Sequence, residues 1–428
     1  MRPSTLKNSK SVTLRVLLPV LMLLLLADMA QAQKLAAASA DKPKIRAITA
    51  FINLDRAQYK EQVADALKLL RRAQTTLESR GYQVQTIRIA TQPFPEYTNG
   101  LTKEQTIAFF KEYDALAEKE KFAASIGPAM LNAGESVAQG ELLGEILGNT
   151  KKLNASLVVA GEDGVRWAAV GAAARVMKKL EESTQHSQGN FRFAAIAMVP
   201  PVTPFFPAAY HTGFGHQFAI ALESANVVAA AFKDAPDLAT AQQRLTDSLA
   251  ASAFDIGQHA GRVDQETGWA YMGIDLSPAP SGDVSIGAAI ENLTRQPFGM
   301  SGTLTAAATI TAAIKNVKVK QTGYSGLMLP ILEDTRLAQR WSEGHISIDA
   351  LLSYSAVCGT GLDTIPLPGD ISVEQLSLII GDMASLAFKW HKPLSARLLP
   401  ALGKGWGEMT EFDDPFLVNA KLQSLDIK

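Results

Sequence analysis

The order of hydrophobic and polar residues along the chain predicts strands that alternate with helices. Residues 44–54 alternate apolar and polar side chains with the two-residue period of a β-strand. Residues 59–81 place apolar side chains near the spacing of one helix face, and residues 82–91 alternate again. A strand, a helix and a second strand of this length predict a βαβ unit, whose two strands pair in parallel.

The same pattern continues to the end of the chain. Further strands are predicted at 123–127, 156–160, 191–199, 217–221, 271–276, 325–331 and 396–400. Further helices are predicted at 103–122, 135–147, 163–182, 224–231, 238–257, 303–314, 333–342, 347–355 and 373–390. Because no composition break or long linker divides these elements, we expect one large α/β domain over residues 44–428. A barrel of about ten strands with surrounding helices fits the pattern better than an open sheet.

The first residues carry a different pattern. Four basic residues precede an apolar run at 17–27, which is short for a membrane span. Ala30-Gln31-Ala32 then supplies the small residues of a cleavage site. This pattern predicts a secretory signal peptide over 1–32 and a flexible lead-in over 33–43. We therefore expect an exported, periplasmic protein without a stable membrane span after cleavage, and an uncleaved anchor is the alternative.

Composition limits the class of protein and its partners. Of 428 residues, 47% are hydrophobic and only 19% are charged, which is typical of a chain with a large core. The formal net charge is −1, so the whole chain has no electrostatic attraction to nucleic acid. The expected partner is a small-molecule ligand, and a homo-oligomer is compatible with this composition.

The single cysteine lies in the segment with the most conspicuous candidate chemistry. Residues 356–370 contain Cys358, three glycines, two prolines, Asp363 and Asp370. Glycine permits backbone angles closed to other residues and proline fixes φ, so we predict a shaped loop of the kind that carries functional residues. A lone cysteine forms no internal disulfide in an oxidising compartment, so Cys358 is either a functional thiol or a small buried hydrophobe.

Further candidates lie at the ends of predicted strands, where α/β scaffolds place their sites. Arg192 lies near the start of the strand at 191–199, and four prolines after that strand lead to Tyr210 and His211. Histidine can act as a base, an acid or a metal ligand near neutral pH. The alternative for His211 is a structural hydrogen bond to the backbone.

Other polar residues stand at similar positions. Glu223 is a candidate site carboxylate, and Asn226 is either a ligand contact or a helix cap. Asp275 leaves a buried strand, where an acid is costly unless it is paired. Ser301 precedes a helix, as a cap or as part of an anion-binding helix start, and Arg397 brings a cation to the last strand.

Common catalytic motifs are absent from the sequence. It contains no CxxC, HExxH or GxSxG, and no GxGxxG at a strand–helix turn. His211 and His216 form the one close histidine pair, and their spacing across a glycine-containing turn is a weak metal signal. The histidine spacing alone therefore does not assign metal ligands.

Three long segments are distinctive together: FRFAAIAMVPPVTPFFPAAYH at 191–211, ALESANVV at 221–228 and VCGTGLDTIPLPGDIS at 357–372. With them the chain resembles domain of unknown function family 711, a bacterial and archaeal family, over roughly residues 43–428. Members of that family resemble pyruvate formate-lyase and other glycyl-radical enzymes in fold, which implies a ten-stranded α/β barrel with central loops. The resemblance also implies that Cys358 lies on a loop inside the barrel.

The resemblance does not extend to radical chemistry. Glycyl-radical enzymes end in a segment like Arg-Val-x-Gly-Tyr that holds the radical glycine, and residues 412–419 have nothing like it. An exported protein would also meet oxygen and lack the cytoplasmic activating enzyme. The family has no settled activity to carry over, and a fold alone does not supply one.

Three hypotheses follow from these observations. The first is a non-radical barrel enzyme, a hydrolase or a lyase, that acts on a small polar or anionic substrate in a central cavity. Its predicted catalytic residues are Cys358, His211, Asp363 and Asp275. Its predicted substrate-binding residues are Arg192, Tyr210, Glu223, Asn226, Ser301 and Arg397.

The other two hypotheses differ in class. The second is an enzyme that depends on a divalent cation, because carboxylates and a histidine would suit calcium, magnesium or manganese. Its candidate ligands are Glu223, Asp275, Asp363, Asp370 and His211. The third is an exported, non-catalytic small-molecule binding protein that uses the same cavity.

Overall fold

A computed structural model describes residues 42–424, and within them ten strands alternate with twelve α-helices. The strands are β1 Lys44–Ile52, β2 Ile87–Thr91, β3 Ala123–Ala129, β4 Leu153–Gly161, β5 Gly164–Val165, β6 Phe193–Ala197, β7 Gly215–Glu223, β8 Ala270–Asp275, β9 Gly361–Pro368 and β10 Leu394–Ala401. The predicted signal peptide over 1–32 and nearly all of the lead-in over 33–43 lie outside the described residues. From Pro43 onward the described chain forms one compact unit.

The helices cover much of the chain between the strands. They are α1 Tyr59–Glu78, α2 Phe94–Thr98, α3 Lys103–Glu120, α4 Ala138–Gly148, α5 Trp167–Ser183, α6 Ala225–Phe232, α7 Leu238–Thr267, α8 Ile286–Thr294, α9 Thr303–Asn316, α10 Thr335–Ser342, α11 Ile348–Ser355 and α12 Val373–Trp390. Two 3-10 helices span Gln185–Arg192 and Ile331–Glu333. None of the helices in the described part of the chain has the length and apolar character that crossing a membrane requires.

The strands form one mixed, mostly parallel sheet, which confirms the predicted α/β class. Its strand order is β8-β7-β1-β2-β3-β4-β6-β10-β9, and the short β5 pairs with β4. Strands β1, β2, β3, β4 and β6 run in one direction. Strands β7, β8, β9 and β10 run in the opposite direction, because β1 pairs with β7 and β6 with β10 in antiparallel fashion.

The two edge strands, β8 and β9, are each bridged to residues 321–330, which we call the linking segment. Gln321 forms a parallel bridge with Ile274 of β8, and Pro330 forms one with Asp363 of β9. Each of these is a single bridge and not a ladder, so continuous strand pairing does not close the sheet within residues 42–424. The strand predicted at 325–331 is wrong, because the segment forms no regular strand. Ser325 adopts a left-handed backbone with φ 41°, which interrupts extended geometry.

Alternate residues of each strand pack on opposite faces of the sheet. On one face, Ile45, Ile48 and Ala50 of β1 belong to the large apolar core that includes the helices. The other face packs against residues 198–211, which we call the inner loop. Thr49 of β1 donates a hydrogen bond to Pro204 at 2.9 Å, and Ser125 of β3 donates one to Ala209 at 2.7 Å.

Candidate functional site

A cavity of about 180 Å³ lies on the face of the sheet that holds the inner loop. Strands β1, β2, β3, β4, β6, β9 and β10 contribute to its wall, together with the inner loop and the linking segment. The polar and charged side chains among its lining residues are Arg46, Thr86, Arg88, Asn154, Tyr324, Glu333, Thr360, Asp363, Ser395 and Arg397. Its volume lies below the roughly 300–1,000 Å³ of pockets for drug-sized ligands, so the cavity suits a small metabolite.

Five buried residues form a continuous chain of ion pairs, and all of them except Glu223 line the cavity. Arg46 donates to Glu223 at 3.3 Å and to Glu333 at 2.7 Å. Arg397 donates to Glu333 and, through Nε, to Asp363 at 2.7 Å. Each guanidinium thus lies between two carboxylates, which is the arrangement that makes buried charge tolerable. We call Glu223, Arg46, Glu333, Arg397 and Asp363 the ion-pair chain.

Two β-bulges place members of this chain. Arg46 is the extra residue of β1, because the pairing with β7 shifts between Ile45 and Ala47. On β9 the pairing with β10 shifts so that Asp363 and Thr364 together oppose Arg397. Thr364 has a left-handed backbone with φ 47°, which is strained for a β-branched residue. Bulges re-aim side chains and are frequent beside functional sites.

A third guanidinium lines the cavity outside the ion-pair chain. Within residues 42–424, the hydrogen bond of the Arg88 side chain goes from Nε to the Thr86 hydroxyl at 3.0 Å, and no carboxylate pairs with it. Burial lowers the pKa of Arg88 to about 9, and repulsion from Arg46 and Arg397 acts in the same direction, while attraction to Glu333, which is not hydrogen-bonded to it, acts against the shift. Arg88 is still cationic at neutral pH, so the cavity contains a positive charge without a protein counter-ion.

Each of the three arginines stacks on a phenylalanine that also lines the cavity. The guanidinium carbon lies 4.8–4.9 Å from the ring centroid in the pairs Arg46–Phe416, Arg88–Phe206 and Arg397–Phe191. A stacked guanidinium is held by its face, and its N–H edge stays available for hydrogen bonds in the plane.

Strand β9 and the turn before it supply two acceptors to the cavity. Asp363 accepts from Arg397 through Oδ1, and Oδ2 has no hydrogen-bond partner among residues 42–424. Burial raises the pKa of Asp363, although Arg397 opposes this shift. Thr360 is buried, and its hydroxyl oxygen has no partner among the described residues either.

Cys358 does not line this cavity. It is buried in the apolar core that includes the helices, its N–H donates to Tyr354 at 2.8 Å, and its carbonyl accepts from Lys392. The loop predicted over 356–370 is also wrong over Gly361–Pro368, because these residues form β9. Prolines are tolerated in β9 because it is the last strand in the order, and the one bridge on its outer side, at Asp363, involves none of its prolines on the β9 side.

His211 and Tyr210 hold the inner loop in place and also do not line the cavity. His211 is fully buried, its Nε2 donates to the Ile52 carbonyl, and burial lowers its pKa. The Tyr210 hydroxyl donates to Val199 at 2.9 Å, across the inner loop. The cavity therefore does not join Cys358 to His211, as a catalytic pair would require.

Asp275 fixes the linking segment to the end of β8. It is fully buried and accepts hydrogen bonds from the backbone of Ser277 at 3.0 Å, Tyr324 at 2.8 Å and Ser325 at 2.9 Å. Burial raises the pKa of Asp275, and these donors oppose the shift. Asp275 does not line the cavity, although its neighbour Tyr324 does.

Some of the remaining predicted residues belong to the ion-pair chain, and the others lie away from the cavity. Glu223 joins the chain, as do Asp363 and Arg397. Arg192 directly precedes β6 and donates to the carbonyls of Leu147 and Leu153 at 3.0 Å each. Asn226 lies in α6. Ser301 is exposed before α9. Arg192, Asn226 and Ser301 do not line the cavity.

Sequence reasoning missed Arg46, Arg88 and Glu333 as site residues. The signal was present for the two arginines, because each interrupts the apolar run of a strand at an inward position, in KIRAITAFI and IRIAT. An unexplained charge in a buried strand is itself a site indicator.

The carboxylates of the divalent-cation hypothesis are not brought together. Glu223 and Asp363 lie at opposite ends of the ion-pair chain, and Asp275 binds backbone N–H groups. Across residues 42–424, no three or more His, Cys, Asp or Glu side chains converge as a metal ligand set.

Comparisons with known proteins agree with one another. The profile of the family described as "Uncharacterised ACR (DUF711)" matches residues 38–414. A UPF0210 protein of Pyrobaculum islandicum is 34% identical over 373 residues, which is 82% of this chain and 82% of that protein. UPF0210 proteins of Methanococcoides burtonii (28% identical, 83% of this chain and 82% of that protein) and Acetivibrio thermocellus (29%, 76% of each) are similar over comparable lengths.

Proposed function

Because the chain belongs to the DUF711 family, whose description names no activity, we propose a function from its cavity: the protein binds a small anionic molecule there, and Arg88 is the principal recognition residue. The observation that carries this proposal is the guanidinium of Arg88, which lies in the cavity wall and forms no ion pair with a carboxylate of residues 42–424. An unpaired charge in an enclosed site is costly, and an anionic ligand offsets that cost.

We also propose that the sheet closes into a ten-stranded barrel around this cavity. Five strand positions separate β1 from β10, which is about 24 Å in a flat sheet at about 4.8 Å per strand. Arg46 of β1 and Arg397 of β10 nevertheless bind the same carboxylate, Glu333, so the sheet curls strongly. The linking segment runs parallel to both β8 and β9 and takes the place of the tenth long strand.

Thermal-shift titrations with propionate and inorganic phosphate test the anion proposal. We expect saturable stabilisation that rises with ligand concentration, since a ligand that binds only the folded state raises the melting temperature. Arg88→Met is expected to remove this response. Arg56→Met is a matched control, because Arg56 is exposed and does not line the cavity. Equal responses of both variants would contradict the proposal.

One observation favours an enzyme over a binding protein. Asp363 lines the cavity with Oδ2 unpartnered among residues 42–424, so a ligand can exchange a proton with it, and burial raises its pKa from the ordinary value. Asp363 is then the acid–base group of a non-radical reaction on the bound anion. Turnover of a bound ligand that is lost in Asp363→Asn would support catalysis, and tight binding without turnover in the wild-type protein would favour the binding protein.

The sequence pattern supports one proposal on location. We propose that the chain is exported to the periplasm and cleaved before Gln33. N-terminal sequencing of the protein from a periplasmic fraction should begin at Gln33. Leu24→Arg, which interrupts the apolar run, should leave uncleaved protein in the cytoplasmic fraction.

A further inference from the structure

The cavity holds groups of opposite character on different strands. Arg88 lies on β2, and Asp363 lies on β9 with Thr360 in the turn just before that strand. In the ten-stranded barrel proposed above, β3, β4, β6 and β10 separate β2 from β9 in one direction, and β1, β7, β8 and the linking segment separate them in the other. That barrel places the Arg88 guanidinium across the cavity from the acceptors that have no donor among residues 42–424.

The charges are arranged in the same way. The ion-pair chain contains three carboxylates and two guanidinium groups, and Asp363 is its inner end. At the outer end, Lys44 approaches Glu223 at 3.6 Å and is 40% exposed, so water screens its charge. Among the charged residues that line the cavity, Arg46 and Arg397 are balanced by Glu333 and Asp363, and Arg88 is the cation that remains without a carboxylate partner among residues 42–424. The carboxylate oxygen that remains without a donor is Asp363 Oδ2.

We infer that the ligand is a small zwitterion of the amino-acid type, whose carboxylate binds Arg88 and whose ammonium group binds Asp363 Oδ2 and the Thr360 hydroxyl. This inference rests on the proposed anion-binding function and names its ligand class. An ammonium group has three donors and no acceptor, which suits two unpartnered oxygens. A simple monoanion would leave both of these oxygens without a donor.

A length series of amino acids with matched partners tests this inference. The probes are β-alanine, 4-aminobutyrate and 5-aminovalerate, each compared with the carboxylic acid, the amine and the hydroxy acid of the same chain length. The protein that begins at Gln33, the form expected after cleavage of the signal peptide, is titrated by thermal shift and isothermal calorimetry. We expect one amino acid to bind at least about tenfold more tightly than its carboxylic acid, since the additional contact is a charge-assisted hydrogen bond.

Two variants test where the ammonium group of the ligand binds. Thr360→Val keeps the side-chain shape and removes a hydroxyl that has no partner, so the protein should fold normally. It should reduce the advantage of the amino acid and leave the affinity for the carboxylic acid unchanged. Ser156→Ala is the matched control, because the Ser156 hydroxyl is also buried and unpartnered but does not line the cavity. Asp363→Asn should remove the advantage altogether.

The outcomes separate the inference from the function on which it rests. If carboxylic acids or hydroxy acids bind as tightly as the amino acids, the zwitterion inference is overturned and anion binding stands. If no carboxylate binds in a manner that depends on Arg88, the anion proposal fails and the inference fails with it. An unchanged amino-acid preference in Thr360→Val and Asp363→Asn would also overturn the inference.

Discussion

At the scale of single residues, we expect Arg88 to lower the stability of the ligand-free protein while it serves the proposed anion binding. Its side chain is partly buried, lies near Arg46 and Arg397, and has no carboxylate partner within the described residues. We expect Arg88→Met to raise the free energy of unfolding of the ligand-free protein by about 1 kcal/mol, because functional residues of this kind are often not optimised for stability. Urea unfolding of the ligand-free variant measures this. A lower stability than wild type would contradict it.

Glu333 has the opposite role, because it joins the two halves of the ion-pair chain. It accepts from Arg46 at 2.7 Å and also from Arg397. We expect Glu333→Gln to lower the free energy of unfolding by about 3–5 kcal/mol, since removal of one partner leaves two buried cations poorly compensated. The urea midpoint at an unchanged m-value is the measurement.

An exposed ion pair provides the control for Glu333. Glu266 binds Arg72 at 2.6 Å, and both side chains are about half exposed. Glu266→Gln should therefore change stability by about 0–1 kcal/mol, because solvent screens such pairs. Equal effects of Glu333→Gln and Glu266→Gln would show that the ion-pair chain is not structurally important.

The sequence predicted some residues of the site and missed others. Asp363 and Arg397 were predicted, since each is conspicuous in a segment rich in glycine, proline or basic residues. Cys358 was conspicuous for the same reason, but the turn before β9 directs it into the apolar core. Glu333 reaches the cavity only because the 3-10 helix Ile331–Glu333 follows the linking segment, and this tertiary placement leaves no periodic signal in the sequence.

At the scale of elements, helices were predicted better than the segments around the cavity. The helix predicted at 373–390 matches α12 Val373–Trp390, where a capping box at Ser372 marks the start. The helix predicted at 238–257 is confirmed but continues to Thr267, because buried residues such as Ala260 and Val263 hold it past Gly257. The linking segment and β9 were misassigned because backbone contacts between distant segments decide their conformation.

Gly359 and Gly326 show such a contact. A Cβ on Gly359 would lie 2.6 Å from the backbone of Gly326, and the Gly359 N–H donates to Leu327 at 2.8 Å. We expect Gly359→Ala to destabilise the protein by about 1–3 kcal/mol or more, because neither backbone can move without breaking this connection. Thermal and urea unfolding measure the loss.

A glycine within a helix provides the comparison. Gly257 lies in α7, and a Cβ there would meet no atom within 4 Å. Gly257→Ala should stabilise the protein by about 0.5–1 kcal/mol, since alanine loses less backbone entropy on folding. If Gly359→Ala were as well tolerated, the linking segment would not be packed against the turn that precedes β9.

At the scale of the whole molecule, the charges around the cavity predict how the proposed anion binding would respond to pH. The pKa of Arg88 is lowered to about 9 in the ligand-free protein, first by burial and then by Arg46 and Arg397. A bound carboxylate favours the protonated guanidinium, so it raises the pKa of Arg88 in the complex. Affinity is therefore constant well below pH 9 and falls as pH rises through about 9.

The measurement is the dissociation constant of propionate between pH 7 and pH 10, a range in which propionate itself does not change charge. Above pH 9 we expect affinity to fall by roughly tenfold per pH unit, because one proton must be taken up for each anion bound. Proton uptake measured by calorimetry in two buffers of different ionisation enthalpy provides an independent check. If affinity did not change over this range, Arg88 would stay protonated up to pH 10 in the folded protein, and the loss of binding in Arg88→Met would then decide whether the anion depends on Arg88 rather than on Arg46 or Arg397, whose guanidinium groups are already paired with carboxylates.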